Sequence, residues 1–315
     1  MEINGVFTED TYCEAFDGLV VRLLVTARNE ALLKKAVYSA TALPCTVFGE
    51  AEGGIEAWVS DSQTPDGRRG AIIQLWVNYG KTASKRLEEE LGKRVRQGIL
   101  VVPTTRVFNA LAVEGEPDAD GICSRSGSGT PTAGWIDSMA RVGHCGDGYE
   151  KVVNKFNREM ISVPLMMGDF LIEKQLGYTK GVMGGNVWFF CENENVALEA
   201  GDRAVEAISK IEGAITSYDV CSAGSKIETN FPEIGPTTNH PFCPSLACDM
   251  TDSKVPQGVM SIPEIVINGL DETAVKTAMR AALYAASEVD GVVKMSAGNF
   301  DGKLGKHKIY LNDIL

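Results

Sequence analysis

At 315 residues, with 44% hydrophobic and 23% charged residues, the chain has the composition of one large or two ordinary globular domains, not of a disordered or fibrous protein. Thirty basic against 42 acidic residues give a formal charge of −12, whose mean field repels a polyanion, so nucleic acid is not an expected partner. No apolar run approaches the roughly 18 residues of a membrane span, and no basic region precedes an apolar stretch at the N-terminus, so a cytoplasmic chain without a membrane partner is expected. Eight cysteines spread over this length read as reduced thiols rather than a disulfide framework.

In chain order, residues 20–26 form an apolar strand candidate and residues 29–41 a helix candidate. Residues 45–48 read as a short strand and, after an irregular segment, residues 71–77 as another. Residues 82–96 then read as a helix with Leu87, Leu91 and Val95 at i, i+4 and i+8. On its outer face Glu89 with Lys93, and Glu90 with Arg94, make favourable i,i+4 pairs. Gly98 breaks that pattern, and residues 99–102 read as a closing strand.

The second half repeats the order. A strand at 186–191 leads to a helix at 194–210 with Leu198, Gly201, Val205 and Ile208 on one stripe. Gly213 ends it before a strand at 214–218. Later come a strand at 262–267, a helix opened by Asp271 as N-cap, and a strand at 292–296 after Gly291. Two βαββαβ units predict an α+β chain of two ferredoxin-like lobes, residues 1–160 and 161–315, each an antiparallel sheet with helices on one face. The stretch from residue 114, rich in Gly, Ser, Pro and Asp without apolar period, predicts an exposed loop over 114–141.

The glycine-rich run Gly181 to Asn186 lacks the Lys-Ser/Thr of a phosphate loop and leads into a strand, so a nucleotide site is not expected. His240, Cys243 and Cys248 are spaced unlike any standard zinc pattern, and no metal is expected. The turn signature Thr64-Pro-Asp-Gly-Arg68 leaves Arg68 either a turn residue or a partner for a substrate carboxylate. Thr104 and Thr105 follow a strand, where hydroxyls either reach a cleft or cap the next segment. On a strand, Glu264 shares its face with Ile262, Val266 and Asn268, while Ile265 and Ile267 point the other way. That leaves two readings: a solvated carboxylate on an outer face, or a covered one whose pKa rises enough to serve as a general acid.

Several segments together resemble the formylmethanofuran:tetrahydromethanopterin formyltransferases. They are MEINGV with EDTYCEAF (1–16), AEGGI (51–55), TPDGR (64–68), VPTT (102–105), GDGY (146–149), GDFLIE (168–173), GVMGGN (181–186), TNHPFCPS (238–245), EIVINGL (264–270) and SAGNFDGKLG (296–305). The resemblance spans nearly the whole chain in the family's order. It implies two ferredoxin-like lobes, a cytoplasmic homo-oligomer (dimer or tetramer), and no tightly bound cofactor. Methanofuran and tetrahydromethanopterin would serve as substrate coenzymes. It places Glu264 at the reacting centre and implies substrate contacts from Thr104, Thr105, Asn239 and Asn299. Because both carriers are anionic, Arg68, Lys226 and Lys303 are the expected cations. Departures from the family pattern lie at Ser217 to Cys221 and at Asp66 to Gly70. They leave a second expectation: a non-catalytic carrier-binding or assembly subunit of a larger one-carbon complex.

Overall fold

The computed structural model describes residues 1–42, 51–111, 134–224 and 239–315. The chain begins with β1 (Glu2–Ile3), β2 (Val6–Thr8) and the long β3 (Tyr12–Thr26). Next come α1 (Glu30–Thr41), β4 (Glu52–Val59), β5 (Gly70–Asn78), α2 (Ala83–Arg94) and β6 (Arg106–Asn109). They are followed by β7 (Gly134–Asp137), the short α3 (Ser138–Val142), β8 (Lys151–Lys155), β9 (Arg158–Val163) and β10 (Phe170–Glu173). The long β11 (Gln175–Cys191) precedes α4 (Glu194–Ile208), β12 (Ala214–Thr216), β13 (Glu264–Gly269), α5 (Glu272–Ala286) and β14 (Val292–Ser296). The last elements are β15 (His307–Tyr310) and α6 (Leu311–Ile314).

Two compact units result. The terminal unit comprises Met1–Asp17 and Val182–Leu315, and the central unit Gly18–Gly181. This division differs from lobes of 1–160 and 161–315 at both ends: β2 runs parallel to β14 and β15 antiparallel to β3 from His307↔Ala15 to Tyr310↔Tyr12, while β10 pairs with β6 and the start of β11 with β7.

Each unit contains the expected βαββαβ arrangement. In the central unit the sheet order is β4-β5-β3-β6, with every neighbouring pair antiparallel. In the terminal unit the order β12-β13-β11-β14 repeats it, again antiparallel throughout. Three helices start where a side chain can take an orphan backbone N–H: Asn29 accepts from Leu32 at α1, Asn193 from Val196 at α4, and Asp271 from Ala274 at 2.8 Å at α5. Their inner faces are apolar. Leu87, Leu91 and Val95 are buried as their spacing predicts, and they pack with Leu33, Val37, Leu23 and Val25. In the terminal unit Ala278, Met279, Ala282 and Leu283 of α5 share a core with Ile265, Ile267 and Phe189.

Several expectations need correcting. Residues 99–102 are not a strand: Val95–Leu100 continues α2 as a π-helical turn, and the closing strand is Arg106–Asn109. Gly98 does not end the helix but lets it approach α1, since a Cβ there would lie 2.9 Å from the backbone of Ala40. Leu198 is 57% exposed, and α4 instead buries the small residues Ala197, Ala200, Gly201 and Ala204 with Ile208. The expected loop over 114–141 contains ordered elements at its end. Gly134–Asp137 pairs with β11 from Gln175↔Asp137 to Tyr178↔Gly134, burying Ile136. The strand expected at 45–48 and most of that loop lie outside the described residues.

Candidate active site

Register decides what Glu264 meets. The β11–β13 pairing sets Trp188 directly across from Glu264, and Ile265 and Ile267 point into the core, which turns Glu264 to the opposite face. The Glu264 backbone is pinned on its other side by reciprocal bonds with Cys221, at 2.9 Å and 2.8 Å. Across the strand pair, Trp188 Nε1–H donates to Glu264 Oε1 at 3.0 Å. The indole is itself fixed. Phe242 meets it edge-on at 5.1 Å, and Gly298 lies so close that a Cβ would fall 2.5 Å from the ring. Asn186 clamps Gly298 by accepting its N–H at 2.7 Å and donating to its carbonyl at 3.3 Å.

Glu264 forms part of the wall of a cavity of about 480 Å³ with Trp188, Cys221, Asn239, Phe242 and Ile262. It keeps partial exposure there, while the protein packed around it holds its carboxyl above the ordinary range. Burial is the main cause, and the Trp188 N–H opposes it. Of the two readings of Glu264, the covered carboxyl is the one the geometry supports. Burial, with Glu264 adding to it, pushes the Cys221 thiol up to about 11, so at neutral pH it is a thiol and not a thiolate.

The other expected site residues divide between the units. In the terminal unit Asn239 shares the cavity with Glu264. Asn299 spends its side chain locally: Nδ2 donates to the Tyr12 carbonyl at 3.1 Å and to Thr11 Oγ1, and Oδ1 accepts from the Asp301 N–H. Lys303 is exposed beside Asp301, with Nζ 3.7 Å from its carboxylate. That segment is organised by Glu14, whose buried carboxylate accepts the backbone N–H groups of Phe300, Gly302, Leu304 and Gly305. Lys226 lies outside the described residues.

In the central unit Arg68 Nη1 donates to the Thr104 carbonyl at 2.8 Å, and its Nε lies 3.7 Å from the Asp66 carboxylate. Thr104 has φ +69°, an unusual state for a β-branched residue, costing about 1–3 kcal/mol. Thr105 is 1% exposed, and its hydroxyl donates to the carbonyls of Ile99 and Val102, so it caps the preceding turn. Thr104 and Thr105 also border a second cavity of about 350 Å³. Among the described residues no group of three or more His, Cys, Asp or Glu is arranged to hold a metal.

A family model described as formylmethanofuran-tetrahydromethanopterin formyltransferase matches residues 1–165, and a second, described as FTR, proximal lobe, matches residues 168–314. The chain belongs to this formyltransferase family. A formylmethanofuran–tetrahydromethanopterin formyltransferase-like protein of Archaeoglobus fulgidus is 56% identical over 315 residues, covering 100% of this chain and 98% of that protein. The solved formylmethanofuran:tetrahydromethanopterin formyltransferase of Methanosarcina barkeri is 37% identical, with a TM-score of 0.86 and full coverage of both chains. The formyltransferase/hydrolase complex of Methylorubrum extorquens, solved with methylofuran, contains a chain 32% identical, with a TM-score of 0.84 and coverage of 100% and 98%.

Within this formyltransferase, three cavity residues were not singled out from the sequence: Trp188, Cys221 and Phe242. A short motif carries Phe242, but Trp188 and Cys221 meet Glu264 through strand register, which local pattern does not encode.

Proposed function

We propose that this chain is an acyltransferase that moves the formyl group of N-formylmethanofuran to N5 of tetrahydromethanopterin in one-carbon metabolism. Family membership supports the reaction, and the observation that carries the site is the Glu264 carboxyl, raised by burial and held by Trp188 in the cavity wall. The N5 lone pair attacks the formyl carbon, and the carbonyl π pair moves onto oxygen to give a tetrahedral oxyanion. Collapse re-forms the carbonyl and breaks the bond to the methanofuran amine, which takes up a proton as N5 gives one up.

Trp188 occupies Glu264 Oε1 as an acceptor, so the proton of the neutral carboxyl resides on Oε2. From there it donates a hydrogen bond to the oxyanion or protonates the leaving nitrogen. No acyl-enzyme is required, in keeping with the neutral Cys221 thiol. Asn239 in the same cavity and Arg68 with Thr104 in the central unit are the proposed substrate contacts. Both carriers act as substrate coenzymes, and the working form is a cytoplasmic homo-oligomer, dimer or tetramer. The test is kinetic. Glu264→Ala is expected to lower kcat by about 10²–10³ with little change in KM for either carrier. Glu264→Gln separates the two roles, since its amide N–H still binds an oxyanion but delivers no proton. Near-wild-type kinetics in both folded variants would remove Glu264 from the reaction.

The second reading is a non-catalytic carrier-binding or assembly subunit. A relative solved within a formyltransferase/hydrolase complex favours the assembly part of this reading, not a loss of catalysis. Absence of turnover together with copurification of other subunits would support it.

A further inference from the structure

The chain carries a net charge of −12, yet one end of the central unit gathers guanidinium groups. Asp66, with a fully buried side chain, is the hub. Its Oδ2 accepts from Thr26 Oγ1 at 2.8 Å and from Arg106 Nη1 at 3.0 Å, with Arg68 Nε at 3.7 Å. Thr104 ties a third arginine to this group: its carbonyl takes Arg68 Nη1, and its hydroxyl accepts the backbone N–H of Arg28 at 3.2 Å. The neighbouring Arg69 is already paired with Glu30 at 2.9 Å and adds nothing to the excess.

Two guanidiniums therefore share one carboxylate, and the charge of Arg28, whose backbone is tied to Thr104, acts on Arg68 from nearby, so Asp66 alone does not neutralise the group. Arg28 is exposed, and its side chain has no partner among the described residues. Arg68 and Arg106 keep about a fifth of their side chains accessible, at 20% and 18%. Partial burial is the main cause that depresses the Arg68 pKa; the charges of Arg106 and Arg28 add to it, and Asp66 opposes it. Asp66 and the left-handed Thr104 hold Arg68 in place before any ligand arrives, so an incoming anion would meet donors already oriented.

We infer that Arg28, Arg68 and Arg106, arrayed around Asp66 and Thr104, form a binding site for an oxyanion, a carboxylate or phosphate group. Guanidinium forks match both, each presenting paired N–H donors to paired oxygens. Thr104 also borders the 350 Å³ cavity walled by Leu165, Met166 and Phe170, so an anion seated on the arginines can belong to a larger molecule with an apolar body. Asp169 faces that cavity as well, with its carboxylate taken by Ser162 at 2.8 Å, which sets the anion end at the arginines. Assigning the anion to a carrier's carboxylate rests on the formyl-transfer reading; oxyanion binding itself does not.

Calorimetric titration of the full chain at low ionic strength, with inorganic phosphate and with citrate as probes, tests the site. One saturable anion per chain is expected. Arg28→Gln should weaken it by about three- to tenfold, and Arg28→Glu further, with melting temperature unchanged because the Arg28 side chain supports no packing. No saturable binding of either probe, or binding indifferent to both variants, would overturn the site. Steady-state transfer assays then separate the sources. If a carrier supplies the carboxylate, citrate competes with that carrier and Arg28→Gln raises its KM while kcat holds. If phosphate binding is lost in the variants and neither KM moves, the site serves a free phosphate-class anion. Absence of formyl transfer would remove the carrier assignment and leave the binding result standing.

Discussion

Glu264 illustrates how one side chain acquires reactivity from its neighbours. Burial raises its pKa and Trp188 partly lowers it, so the neutral acid persists to higher pH than an ordinary glutamate. The sign follows directly. Activity that needs the protonated carboxyl is present at lower pH and falls as pH rises through the raised value, so kcat should show a basic limb assigned to this group. Trp188→Phe removes the donor that favours the ionised form, and the limb should move to still higher pH. It should also lower kcat, because nothing then fixes Oε1. A pH–kcat profile of this variant checks both effects; an unmoved limb would mean that another group titrates. From the strand pattern alone, Glu264 was ambiguous between a solvated and a covered face. The missing information lay in Trp188, 76 residues away, brought opposite by a β11–β13 pairing that contains a register shift between Val182 and Gly185.

At the scale of elements, the segment after β14 depends on one carboxylate. Glu14 on β3 accepts four backbone N–H groups from Phe300 to Gly305, and these bonds depress its pKa although burial alone would raise it. A depressed carboxyl contributes stability that is present above its unfolded value and lost as pH falls through its folded one, so this segment should loosen under acid. Glu14→Gln turns an amide NH2 toward backbone donors and should cost about 2–4 kcal/mol, measured by denaturant unfolding, with protection of residues 300–305 from hydrogen exchange lost first.

Elements with long-range periodicity were legible: α1, α2, α5, β5 and β14 fall close to where spacing and caps put them. Those that misled did so for packing reasons. The apolar run at 99–102 looks like a strand, but Gly98 allows the α2 helix to run on against α1. Gly53 and Gly54 hid β4, yet Gly53 is small because a Cβ there would lie 3.1 Å from Thr41 Cα. On α4 the large apolar Leu198 faces outward, and mostly small residues with Ile208 face in, Gly201 accommodating Val220.

Across the whole molecule, the duplicated βαββαβ order was visible in the sequence, whereas the pairing of N-terminal with C-terminal strands was not, because strand pairing between distant termini leaves no local signature. The net charge of −12 bears on the proposed oligomer: like-charged subunits repel at low ionic strength, so association and activity should both rise with salt as that repulsion is screened. Sedimentation across a salt series measures it, and a fully active monomer at low salt would contradict the proposal. The most direct measurement is turnover itself. Purified protein is mixed with authentic formylmethanofuran and tetrahydromethanopterin, without added metal, nucleotide or reductant, and the formylated pterin is followed spectrophotometrically. Product is expected in proportion to enzyme, with turnover reduced about 10²–10³-fold in Glu264→Ala. No product above background from folded protein would contradict it.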